Sequence, residues 1–214
     1  KVPENITDHE QALQLTTNAY EHHSAPRNEV HHVGRPVPQD SIDSLLQILE
    51  NLRWPVRNHR SGLTVEHYLV LQMNAKERFF SDLCDACRNL MDWADKTFYY
   101  SGIAVTKNFV SSPHIDDRDQ TFQYAMSLGK FESGGELCVD NATALHVIDT
   151  HNRIARVDGR HVHWVRPWKG GDRFSLIFYD TSDRHPTPIL ATGVDEAWIT
   201  INDDNTDEKK PVGS

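Results

Sequence analysis

The residues best able to do chemistry fall between Val110 and Tyr179: a His-x-Asp pair (His114, Asp116), a later histidine (His163), and Arg173 with Ser175 beyond it. Side chains alternate along a strand, so residues two apart point to one side, and a histidine and an aspartate so placed can grip one ion together. Two imidazoles and a carboxylate on one face of a ferrous ion leave the opposite positions open for a cosubstrate and oxygen. The third ligand must then come from a strand distant in sequence. Such a strand reads His161-Val162-His163-Trp164-Val165-Arg166-Pro167, followed after a Lys169-Gly170-Gly171 turn by Arg173-Phe174-Ser175-Leu176-Ile177-Phe178-Tyr179. Both segments alternate as strands do. Arg173, Ser175 and Ile177 form the set expected to point inward, and an inward guanidinium needs an anionic partner.

With Arg173 ten positions after His163, the order His-x-Asp, His-x-Val-x-Pro, turn, Gly-x-Arg-x-Ser resembles the iron(II)/2-oxoglutarate-dependent dioxygenases over residues 110–179. The resemblance implies an α+β chain whose core is a double-stranded β-helix of jelly-roll or cupin-like form. It implies iron(II) held by His114, Asp116 and His163, and 2-oxoglutarate whose far carboxylate pairs with Arg173, with Ser175 beside it. It further implies O2 as oxidant, ascorbate as a supporting reductant, succinate and CO2 as coproducts, and hydroxylation of a C–H bond on a protein side chain or small metabolite. Tyr124 is either a hydrogen-bond donor to 2-oxoglutarate or a core aromatic. Of the two histidines on one face of their strand, His163 keeps the family's separation from Arg173, which leaves His161 as its neighbour or as a substrate-facing residue. Asn108, the loop Asp117-Arg118-Asp119, Trp164 and Trp168 are candidate substrate contacts, each with a structural alternative. Two other readings stay open: a nucleobase oxidase resembling the TET and base-J branch, and a non-catalytic cupin-like binding module, which would have no need of Arg173.

A formal charge of −9 and a pI near 5.8 weigh against broad electrostatic capture of nucleic acid or an anionic membrane. Three cysteines and no long apolar run suit a reducing compartment, cytoplasm or nucleus. The start at Lys1 fits a processed or trimmed chain. One domain is expected over residues 1–201: a helical N-terminal region at 1–96, a β-core at 97–180 and an extension at 181–201, with an acidic, disordered tail at 202–214. Oligomeric state leaves no sequence signal.

The elements that must carry the site follow from periodicity. Thr7-Asp8-His9-Glu10 has the form of a capping box before a short helix. The doublets His22-His23 and His31-His32 cannot chelate as neighbours, since adjacent side chains face apart, and read as solvated polar segment. Asp40 as N-cap and the stripe Ile42, Leu45, Leu46, Leu49, Leu52 predict a helix ended by Trp54-Pro55. A strand over 67–73 and a helix from the capping box Asn74-Ala75-Lys76-Glu77 through Ala94 follow. Cys84 and Cys87 lie on that helix's apolar stripe and read as buried small hydrophobes. Strands are expected at 97–100, 103–109, 122–128, 136–139, 145–149, 154–157, 161–165, 173–179 and 197–201, with the helices packed on the outer sheet.

Overall fold

The computed structural model describes residues 28–55, 59–60, 63–64, 67–72 and 79–201. The expected helix near residue 7, the His22-His23 doublet, the capping box at 74–77 and the acidic tail lie outside the described residues.

Two long alternating segments set the faces of the fold. In β6 (Gln123–Gly134) and β11 (Trp168–Tyr179), one parity is large and apolar: Tyr124, Met126 and Leu128, with Phe174, Leu176 and Phe178. The other parity is smaller or polar: Gln123, Ala125 and Ser127, with Arg173, Ser175 and Ile177. Antiparallel register sets Leu176 opposite Met126 and Ser175 opposite Ser127, so each parity gathers on one face.

Around this pair, β4 (Tyr68–Gln72), β5 (Gly102–Lys107) and β9 (Arg153–Val157) complete one sheet in the order β9-β6-β11-β5-β4, while the short β2 (His59–Arg60) and β3 (Leu63–Thr64) pair only with each other. The other sheet contains β7 (Leu137–Asp140), β8 (Leu145–Asp149) and β10 (Val162–Val165) in the order β10-β7-β8. Strand β1 (Glu29–Pro36) joins them, running parallel to β8 through residues 29–33 and meeting β9 at Arg35 and Pro36; β12 (Ile199–Ile201) also pairs with it. The chain passes from β6 to β7 and β8, back to β9, across to β10 and back to β11. This winding between two facing sheets is a double-stranded β-helix.

The apolar face of the first sheet is covered by α1 (Gln39–Glu50) and α2 (Ser81–Asp95), as expected. Leu45, Leu49, Leu83 and Leu90 pack there against Leu71, Val105, Met126 and Phe178. Cys84 and Cys87 belong to the same cluster as buried thiols, and burial pushes the Cys87 thiol up. A second core of Leu137, Val139, Ile148, Ala155, Val157, Val194 and Ile199 fills the space between the sheets. Among the described residues no helix is long and apolar enough to cross a membrane.

Several expectations are corrected. His31-His32 is not a solvated segment but belongs to β1, and His32 is 7% exposed. Glu29–Pro36 becomes a strand because β8 and β12 supply ladder partners, which outweigh its weak local pattern. Residues 97–100 form no strand: Phe98 packs edge-on against Tyr124 and Tyr100 against Phe178, filling the gap under α2. Lys169-Gly170-Gly171 is an irregularity inside β11, where the register against β6 shifts. Pro38, not Asp40, takes the N-cap position of α1, and Asp40 sits in the first turn, where the helix dipole favours a carboxylate.

Candidate metal centre and adjoining cavity

A short extended segment brings the two halves of the candidate site together. His114 and His163 exchange backbone hydrogen bonds of 3.1 and 2.9 Å, so residues 112–116 run beside β10 and the two imidazole centres lie 4.3 Å apart. Asp116 N donates to Gly159 O at 2.8 Å, which turns its carboxylate to the same side. The candidate ligand atoms of His114, Asp116 and His163 all lie within 4.8 Å of one another.

The second nitrogen of each ring fixes its tautomer. His114 Nδ1 donates to Ser112 O at 2.7 Å, and His163 Nδ1 to His161 O at 3.0 Å. A carbonyl oxygen can only accept, so both Nδ1 atoms carry protons and Nε2 is left on each ring as the atom that can ligate a metal. Burial alone would raise Asp116, but its hydrogen bond to His163, the His163 charge and Gln123 outweigh that and leave it at about 2. Burial likewise opposes the charged form of His163, yet Asp116 draws it above the usual imidazole range. With the proton that His163 shares with Asp116 displaced by an ion, the set would be an anionic oxygen plus two neutral nitrogens, which fits a divalent transition ion.

Arg173 is 3% exposed. Its Nη1 donates to Ser175 Oγ at 2.6 Å and its Nη2 to Gly135 O at 3.0 Å, while Nε is buried without a partner. Among the described residues no carboxylate forms an ion pair with it. Burial pulls its pKa down to about 10, with the Glu136 charge opposing, so it is a cation at neutral pH. Phe131 and Trp168 flank the guanidinium at 5.8 and 5.5 Å. Gly135, at φ +75°, makes the room: a Cβ there would meet Arg173 Nε at 2.8 Å.

A cavity of about 610 Å³ is lined by His114, Asp116 and His163 together with Ser175, Thr106 and Tyr68; Arg173 does not line it and meets it only through its hydrogen bond to Ser175. Ser175 lies opposite Thr106, and Thr106 opposite Tyr68, so the three hydroxyl-bearing residues form a row across β11, β5 and β4.

The remaining candidates separate by parity. Tyr124 is corrected: it is fully buried on the helix-facing side of β6, its hydroxyl donating to Asp95 Oδ2 at 2.8 Å, and it does not line the cavity. Trp164, one position from His163, faces the opposite way into a cluster with Cys138, Leu145 and Val147. Asn108 braces β11, accepting from Arg173 N and donating to Asp172 Oδ1. Trp168 packs on Arg173. His161 Nε2 lies 2.7 Å from Leu190 O, so this residue serves the centre through its carbonyl. Asp117 and Arg118 line the cavity as exposed residues, whereas Asp119 is buried and its carboxyl is pushed up to about 7 by burial, with the Asp116 charge adding and the Gln123 hydrogen bond opposing. Tyr68, Thr106 and Gln123 were missed by sequence reasoning. Their only signal was inward parity relative to Arg173 and Ser175, which becomes usable once the register is known.

No protein-family model and no curated protein sequence matches the chain. Among solved structures it is similar to a prolyl hydroxylase in complex with a hypoxia inducible factor oxygen degradation domain peptide fragment from Trichoplax adhaerens, with a TM-score of 0.49 and 15% identity over 80% of this chain and 92% of that chain. It is also similar to NgTET1 in complex with 5mC DNA (TM-score 0.48, 12% identity, 85% of this chain and 94% of that chain). A 2OG-Fe(II) oxygenase family oxidoreductase from Burkholderia pseudomallei gives a TM-score of 0.47 and 15% identity over 89% of this chain and 97% of that chain.

Proposed function

We propose that the chain is an iron(II)/2-oxoglutarate-dependent oxygenase that hydroxylates a C–H bond of a protein side chain or small metabolite. Arg173 carries the reading. A buried guanidinium with no carboxylate partner among the described residues, joined through Ser175 to the cavity where two histidines and an aspartate meet, calls for an anion inside that cavity. A simple metal-binding module has no use for such a cation.

His114, Asp116 and His163 would hold iron(II), with Arg173 and Ser175 taking the far carboxylate of 2-oxoglutarate by charge-assisted hydrogen bonds. When bound, iron(II) and 2-oxoglutarate supply the oxidising chemistry, with O2 consumed and succinate and CO2 released. The chain's own work is to fix the ligand tautomers, to orient the cosubstrate and to keep water from the reacting centre with apolar walls such as Val70, Ala104, Leu137 and Ile177. Phe109 and Ile115 also line the cavity, and Arg118 is the one lysine or arginine among the described residues that do so. That lining suits a peptide or a neutral metabolite better than a polyanion.

Succinate formation with iron(II), 2-oxoglutarate and ascorbate, with peptide, nucleoside and metabolite pools added in turn, is the direct test. We expect 2-oxoglutarate-dependent succinate, stimulated by one pool and abolished together with tight metal binding in His114→Ala, Asp116→Ala and His163→Ala. Near-normal iron binding and turnover in Asp116→Ala would sink the reading.

A further inference from the structure

Gln123 stands on the inner face of β6 and is 3% exposed. Its Nε2 donates to Asp116 Oδ2 at 2.8 Å and to Asp119 Oδ2 at 2.6 Å. A primary amide carries two protons on nitrogen and none on oxygen, so this nitrogen gives one to each carboxylate. The flipped amide would set Oε1 against both carboxylates, which fixes the orientation shown. Behind the amide lies Gly159, where a Cβ would sit 2.4 Å from Gln123 Nε2 and 2.8 Å from its Cδ. The missing side chain of Gly159 is the space the amide occupies.

We infer that Gln123 is the positioning residue of the metal centre. Anchored by Asp119 and seated against Gly159, it holds Asp116 Oδ2 so that the carboxylate meets the ion in one orientation, through a single oxygen. The inference rests on the reading of His114, Asp116 and His163 as metal ligands. An aspartate that can rotate offers an ion either oxygen or both. A hydrogen bond to one oxygen removes that freedom before the ion arrives and keeps coordination positions open for cosubstrate and oxygen. None of the three neighbours of Gln123 in this network belongs to a strand: Asp116 and Asp119 reach it from the loop before β6, and Gly159 from the loop after β9.

Anaerobic titration of Co(II) into the full chain, followed by its ligand-field absorption, reads affinity and coordination together without turnover. Wild type should take up one equivalent. Gln123→Leu keeps the bulk and removes both donors; it should bind about tenfold to a hundredfold more weakly, with an altered band. Gly159→Ala, whose φ lies outside the left-handed region, pushes the amide away from the other side and should weaken binding similarly. In a Gln123→Ala background there is no amide left to displace, so adding Gly159→Ala should cost nothing more. Should Gln123→Leu fail to fold, Gln123→Met, of similar length and without an N–H donor, replaces it, and the same weakening is expected. Wild-type affinity and spectrum in the folded Gln123 variant, or a full additive loss from Gly159→Ala in the Gln123→Ala background, overturns the role of Gln123 alone. A wild-type protein that takes up no Co(II) overturns both this role and the metal reading beneath it.

Discussion

At the scale of single residues, Arg173 separates a 2-oxoglutarate enzyme from a generic metal-binding barrel. Removing one partner of a buried charge pair costs on the order of 3–5 kcal/mol, which is at least a hundredfold in affinity at about 1.4 kcal/mol per factor of ten. Arg173→Ala should therefore weaken 2-oxoglutarate binding to the anaerobic metal-loaded protein by about a hundredfold or more and leave metal uptake intact. Arg173→Lys should recover only a fraction of the loss, since a point charge cannot reproduce the guanidinium fork. Isothermal titration decides it, and equal affinity in wild type and Arg173→Ala would favour the cupin-like module instead. The spatial meeting of His114, Asp116 and His163 was legible because strand alternation and order are written in the sequence. Tyr124 was misplaced for a physical reason: a lone aromatic in an alternating run does not reveal which parity faces inward. The inward parity of β6 is set by Gln123 and Ala125, and it became visible only through the pairing of Ser127 with Ser175. Gln123 itself was illegible, because its role depends on two loops that meet it only after folding.

At the scale of elements, the position of Arg173 depends on how tightly β6 and β11 approach. Gly129 lies opposite Arg173 in the ladder at φ +138°, and a Cβ there would come within 2.1 Å of Asp172 O. Both the backbone conformation and the contact exclude a side chain. Gly129→Ala should lower stability by more than about 1 kcal/mol, beyond the usual gain from replacing glycine. It should also loosen 2-oxoglutarate binding, since Arg173 N and the neighbouring Asp172 are fixed by the Asn108 brace. Urea unfolding checks the loss of stability, and an unchanged midpoint would show that the ladder yields at this point. The stripes of α1 and α2 and the alternation of β6 and β11 were readable because each element buries one face of its own. The segment Phe98-Tyr99-Tyr100 misled for the opposite reason: its composition suits a strand, but no neighbouring strand pairs with it, and its rings are used as filler. β1 escaped notice because its partners lie more than a hundred residues further along the chain.

At the scale of the whole molecule, β1 ties the two sheets together, and the tie contains a buried pair of histidines. His32 lies opposite Ile148, and His146 opposite Val139, so both rings turn toward the core between the sheets. His32 Nε2 and His146 Nδ1 are 2.9 Å apart. Asn141 settles which atom carries the proton: its Oδ1 accepts from Thr143 and Ala144, and its Nδ2 therefore faces Thr192 O and His146 Nε2. His146 Nε2 accepts, His146 Nδ1 donates to His32 Nε2, and the proton on His32 Nδ1 is buried without a partner. A second proton on either ring would have no acceptor. Burial, with the charges of His146 and His31 adding, lowers His32 to about 4, and burial also lowers His146, against Glu196 and with His161. Because the folded value lies below the unfolded one near 6.5, the unfolded chain binds more protons between them. Stability from this pair is complete above about pH 6.5 and falls as pH drops toward 4, by up to about 1.4 kcal/mol per pH unit for one group. Asp119, raised by burial, acts with the opposite sign in the same window, so the test must be a difference. Urea midpoints of metal-free wild type and His32→Leu, measured from pH 7 to pH 4, should draw together as pH falls, wild type losing its lead or passing below the variant. Parallel curves across that range would mean that His32 binds its proton as readily in the folded chain as in the unfolded one, and would overturn the lowered pKa.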